Sequence, residues 1–285
     1  DFNLDGGSTQ LSLQARDGIG LGATPLLSRV ASLNATVTHG GGIYLTEADD
    51  LEVNLSGIAV SGSEGNVVLI LENGRLTVEG QIVTTGSSGN IRLDARNAGR
   101  EGSLAINANL ISSLGHITLL ADDQVVINGI RQINALADLT GIEVQAGGDI
   151  LMSADTRLNA VNGNQRLSAG GNILLGRLSA GTGSVSVQSG GWVRDAIVSG
   201  PVNVTAAAVR LDAGTGIGQA ATPVRTLVNT LAARAASGGL FLTQDADLAI
   251  GTVSAVGIQR VLEDGTLAFF DGADADLSGL LAENN

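Results

Sequence analysis

The sequence predicts an all-β chain wound as a parallel β-helix, a β-solenoid of about 12 turns of 20–26 residues each. Three observations predict it. First, one phrase recurs: a glycine, a small or polar residue, then an apolar–any–apolar triplet. It reads Gly65-Asn66-Val67-Val68-Leu69, Gly89-Asn90-Ile91-Arg92-Leu93 and Gly115-His116-Ile117-Thr118-Leu119, with weaker copies from Gly141, Gly163 and Gly183. The starts lie 24, 26, 26, 22 and 20 residues apart, the spacing of a stacked array. Second, hydrophobic residues make up 44% of the chain and aromatics only 2%. The apolar content is therefore aliphatic, and its β-branched share suits a pleated surface. Third, 41 glycines occur without a collagen period and with only three prolines, so they read as turns.

Taken in order, Leu11-Ser12-Leu13-Gln14-Ala15 alternates with period two, as a strand with one buried face does. Leu26, Leu27, Val30 and Leu33 have helical spacing behind Thr24-Pro25. So short a helix is marginal alone, and a loop leading into a strand at Leu33–Val37 is the favoured reading. Strands at Ile43–Leu45 and Leu51–Leu55 come next. From Gly65 on, each turn holds a second strand, as at Arg75–Val78, Ser103–Ile106 and Gln124–Ile127. A short third often follows, as at Gln81–Val83 and Asn109–Ile111. Two or three short strands per turn, closed by Gly, Asn, Asp or Ser, are the sequence form of a β-helix. Asn66, Asn90, Asn164 and Asn172 at turn entries are placed to form ladders along the axis.

A longer repeat lies over the short one. Leu13-Gln14-Ala15 and Gly18-Ile19-Gly20 match Leu211-Asp212-Ala213 and Gly216-Ile217-Gly218, 198 residues on. Ala23-Thr24-Pro25 matches Ala221-Thr222-Pro223, and Leu71-Glu72-Asn73-Gly74-Arg75-Leu76 matches Leu262-Glu263-Asp264-Gly265-Thr266-Leu267 at an offset of 191. The expected organisation is one continuous solenoid over 1–285, with a first cassette at about 9–206 and the start of a second at about 207–285. It reads as a window on a longer array. Phe269 aligns with Val78 and is expected as an inward ladder residue; an end plug made with Phe270, Leu280 and Leu281 is the alternative.

Net charge is 15 − 28 = −13, and all the basic residues are Arg. An acidic chain with no basic cluster argues against nucleic acid and anionic membranes as partners, and no apolar run is long enough to span a bilayer. Without cysteine there is neither a disulfide framework nor a thiolate metal site. Without Lys there is no Lys–Asn isopeptide staple.

The phrases Gly216-Ile217-Gly218, Ala221-Thr222-Pro223-Val224 and Gly238-Gly239-Leu240-Phe241-Leu242, with the recurring Gly-Asn-Ile-x-Leu, resemble the filamentous-haemagglutinin-like and giant repeat adhesins of bacterial surfaces. The resemblance covers nearly the whole chain. It implies a right-handed parallel β-helix, secretion to the cell surface, and a role as stalk, spacer or adhesive rod. Expected partners are neighbouring repeats or copies of the chain itself, and cell-surface or matrix glycans. A filament subunit stacking head to tail is the alternative function.

β-Helices also carry polysaccharide-cleaving enzymes, so the acidic clusters are the candidate sites. Asp49-Asp50 and Asp245/Asp247 fall at matching cassette positions, which marks them as turns, and with Asp122-Asp123 they make no convincing acid/base pair. No catalytic residue and no cofactor is expected. Asp271, Asp274 and Asp276 offer at most a surface calcium turn, since no regular calcium-binding array is present. His39 and His116 are expected as solvent-facing turn residues, and Trp192 as filler for a wide turn of the core.

Overall fold

The computed structural model describes residues 2–96, 102–197 and 200–283. It is a parallel β-solenoid with three faces and no helix among those residues. The first face stacks the recurring triplets. Its ladder runs Ile19, Ile43, Val67, Ile91, Ile117, Ile142, Gln165, Val185, Val209, Leu231, each in register with the next. The second face stacks Leu51, Leu76, Leu104, Val125, Ile150, Ile173 and Val193. The third stacks Ala35, Ile58, Ile82, Leu110, Ile133, Leu158, Leu178 and Val204. Apart from Gln165, the side chains of these ladders form one aliphatic core along the axis. At about 4.8 Å per rung, ten rungs span roughly 43 Å.

The coil holds together for reasons visible in single residues. Alternation along each short strand sends one side chain in and the next out, so Leu76 and Val78 are buried while Thr77 is half-exposed. At the corners, side-chain oxygens accept the backbone N–H of the following rung. Asn66 Oδ1 accepts from Asn90 N (2.9 Å), Asn90 Oδ1 from His116 N (2.9 Å), and His116 Nδ1 from Gly141 N (2.9 Å). Asn164 serves Ser184 N and Asn172 serves Trp192 N in the same way. The expected Asn ladders thus exist, as relays that satisfy turn amides left over by the strands. His116 belongs to such a relay and is half-buried rather than freely solvent-facing; burial lowers its pKa from the ordinary value near 6.5. His39 is the exposed one, 3.0 Å from Asp17.

Two other expectations change in detail. The segment with helical spacing is part of one strand, Leu26–Val37, which turns two corners of the coil while pairing with the strands on either side. Trp192 lies half-buried on the outside of the second face, its ring 4.5 Å from the Arg194 guanidinium, and does not fill the core.

The two cassette copies do not sit on the same face. Ile19 heads the first-face ladder, eight rung steps before Val209. Its counterpart Ile217 lies on the second face, between Val193 and Leu240. One cassette is therefore eight full turns and one face more.

Candidate functional site: a strap over the first face

From Gly251 the chain leaves the coil. Thr252–Val253 pairs antiparallel with Leu277–Ser278, and Ile258–Val261 with Leu267–Phe270, forming a long hairpin. This strap lies on the outside of the first face and runs back along the axis from the rung of Ala232 to that of Tyr44. The chain then rejoins the coil: Leu280, Leu281 and Ala282 pair with Ala233, Arg234 and Ala235, beside Ala249–Ile250 on Thr230–Leu231. The first face thus closes on an eleventh rung made of two pieces, Ala249–Ile250 and Leu280–Ala282, because residues 251–279 between them are spent on the strap.

The strap corrects the expectation for Phe269, which is neither an inward residue nor part of an end plug. It is 68% exposed, packed over Gly257 on the outer surface. The cause can be read by aligning the cassettes. Ile258–Phe269 corresponds to Val67–Val78, which winds through the coil, but the inward Leu69 is replaced by Arg260. A guanidinium has no partner in an aliphatic core, and burying it unpaired is prohibitive. Outside the coil it finds one: Arg260 Nε donates to Glu143 Oε2 at 2.8 Å, with a second bond from Nη2 to Oε1.

The receiving surface is the outward row of the first face: Val68, Arg92, Thr118, Glu143, Arg166, Ser186, Arg210 and Ala232, all buried. Its polar members meet the strap in sequence. Asn66 and Asn90 donate to Gly265 O (3.3 and 3.1 Å). Arg92 donates to Val261 O and lies 3.6 Å from Glu263, and Thr118 Oγ1 accepts from Val261 N at 3.0 Å. Asn164 donates to Gly257 O. Asp274 receives Arg166 (3.1 Å) and Arg210 (2.7 Å), with all three side chains at most 4% exposed. The Phe270 ring is in contact with two guanidiniums, those of Arg260 (3.5 Å from the ring centroid) and Arg166 (5.2 Å). At the strap tip, Gly22 is close enough to Asp264 that a Cβ there would meet its backbone at 2.6 Å. The cassette counterpart of Gly22 is Ala220, so the missing methyl belongs to the copy that receives the tip.

Sequence reasoning missed these residues. The available signal was charge at the middle of the apolar–any–apolar triplets, in Arg92, Glu143, Arg166 and Arg210. On an open face such positions carry Thr or Ser without penalty.

The strap also accounts for one member of the calcium-turn candidates. Asp274 is turned onto the coil and taken by two arginines, while Asp271 Oδ1 accepts from Ala273 N. No group of three or more potential metal ligands occurs among the described residues. Asp50 accepts from Arg75 N (2.7 Å) and Asp123 from Ser103 Oγ (3.1 Å), so these carboxylates support the neighbouring rung. Beside the strap runs an open groove of about 490 Å³ with a floor of glycines and walls that include Gln145, Ser168, Gln188 and Asp212. The chemistry of this whole face is charge pairing and backbone capping.

No protein-family model, no curated protein and no solved structure matches the chain.

Proposed function

We propose that this chain is a structural, non-catalytic segment of a large secreted or surface-attached bacterial repeat protein, serving outside the cell as stalk, spacer or adhesive rod in the manner of the filamentous-haemagglutinin-like adhesins. The observation that carries the reading is the recurrence of one cassette within a single coil whose ladders run in register from end to end. A solenoid of this kind is extended by adding rungs, each contacting only its neighbours. Its backbone bonds run along the long axis, so pulling on the rod loads the parallel ladders. The strap adds a second connection between rungs far apart in sequence, joining Arg210 to Arg92 through residues 261–274.

The test is a ruler experiment. The segment is displayed on a bacterial surface with a fluorophore beyond it, and whole cassettes are duplicated or removed. A spacer predicts that fluorophore height changes by about 4.8 Å per rung while the surface display of whatever follows is kept. Height that does not track rung number refutes the reading.

A further inference from the structure

The second face has an outward row over which no strap or other described segment is hydrogen-bonded. Between its two charged members it reads, on successive rungs, Glu52, Thr77, Ala105, Val126, Leu151, Leu174, Arg194; Gln10 and Ser32 precede Glu52 in the same register, and the rungs of Ile217 and Leu240 follow Arg194. Val126, Leu151 and Leu174 are half-buried, on adjacent rungs of one row. This is the reverse of the first face, where the outward row is largely polar and lies under the strap. Glu52 and Arg194 flank the apolar stretch with opposite charges, and neither makes an ion pair within the described residues; Arg194 rests on the ring of Trp192.

This stretch has a centre. Val126 lies midway between the two charges, three rungs from each. Turned end for end about Val126, the row places Glu52 opposite Arg194, Thr77 opposite Leu174, and Ala105 opposite Leu151. The flanking column puts no like charges together, since Arg75 then faces Asn172 and Ser103 faces Asp149.

We propose that a second copy of this chain docks on this face, antiparallel, about a two-fold axis lying along the strand direction at Val126. Such an interface is self-complementary and closes after two copies. The two charges fix the antiparallel direction, because the parallel arrangement sets Glu52 against Glu52 and Arg194 against Arg194. The face measures roughly 29 Å over six rung steps by about 14 Å across the strand, or about 400 Å² per copy. That is the size of a weak, reversible contact.

Sedimentation velocity of the whole chain from a few micromolar to several hundred micromolar tests this. The expected result is a monomer–dimer equilibrium that goes no further. Val126→Glu brings two carboxylates together on the axis and is expected to weaken the dimer at least tenfold; the position points outward, and an unchanged circular-dichroism spectrum verifies the fold. Glu52→Arg is expected to weaken it as well, and Glu52→Arg combined with Arg194→Glu to restore it. A monomer at every concentration overturns the proposal. So does a dimer indifferent to Val126→Glu, a charge swap that fails to rescue, or assemblies that keep lengthening with concentration, which are end-to-end stacks.

Discussion

Asp274 is the point at which the strap is most exposed to test. Its carboxylate receives Arg166 at 3.1 Å and Arg210 at 2.7 Å, and the three side chains are almost wholly buried. Asp274→Asn keeps the shape and removes the charge. Two guanidiniums then remain under the strap with neutral acceptors, namely the amide oxygen at position 274, Gln188 Oε1, Ser186 Oγ and Ala275 O, and with one carboxylate, Asp212, 3.9 Å from Arg210. Removing one partner of a buried ion pair costs about 3–5 kcal/mol. The coil need not bear that cost, because the strap can lift and let water reach both arginines. The loss is therefore capped by the free energy with which the strap docks, and it falls on the strap alone. At about 1.4 kcal/mol per decade, opening becomes at least ~100-fold more frequent if docking is worth 3 kcal/mol or more. Hydrogen exchange followed by mass spectrometry reads this directly. Amides of Ile258–Val261 and Leu267–Phe270 are expected to exchange about two decades faster, while those of Ile142–Ala146 and Gln165–Ala169 keep their protection. Unchanged exchange in the hairpin refutes the account of the ion pairs. Equal acceleration in hairpin and coil refutes the account of the strap as a separable layer.

Three further outcomes are expected. Gly22→Ala sets a methyl against the Asp264 backbone and is expected to cost about 1–3 kcal/mol; faster exchange confined to the strap tip near Leu262–Gly265 checks it. Glu47 is buried, accepting from Ser28 Oγ (2.6 Å) and Val30 N (3.0 Å), and burial raises its pKa from 4.5. The folded state then holds its proton to higher pH than the unfolded state, so stability falls as pH rises from 4.5 through the folded value. Glu47→Gln should remove that slope in urea titrations at a series of pH values. The second cassette already carries Gln244 at this position, accepting from Thr226 Oγ1 at 2.8 Å and donating to Val228 O at 2.8 Å. His116 behaves in the opposite sense: its folded pKa is lowered, so the stability its neutral ring supplies is intact above pH 6.5 and is lost as pH falls through the folded value. His116→Asn, which continues the relay of Asn66 and Asn90, is expected to abolish that acid-side loss in the same titrations.

The coil was legible in the sequence because its rule is local and repeated. Val67, Ile91 and Ile117 stand one above another as their matching phrases require. Each glycine, turn-entry asparagine and alternating triplet repeats the same instruction. The strap obeys no such rule. Residues 258–269 still carry the coil's pattern, and a single Arg260 in place of a leucine diverts them. Where they go is decided by charges 64 to 169 residues away, on Arg92, Glu143, Arg166 and Arg210. A pattern search along the chain sees each charge as a solvated residue, since pairing across that separation appears only after the coil is built. His116 was misplaced for the same reason: its role follows from the rung beneath it, which needs an acceptor for Gly141 N.

The extra third of a revolution between Ile19 and Ile217 has a consequence for any longer run of such units. Were every cassette to keep this phase, the bridged loop at Gly20–Pro25 and its counterpart at Gly218–Pro223 would belong to a slow spiral, each pointing about 120° away from the last. A flat surface beside the rod would then meet the same loop only at every third cassette, while a partner free to move around the rod would find one in every direction.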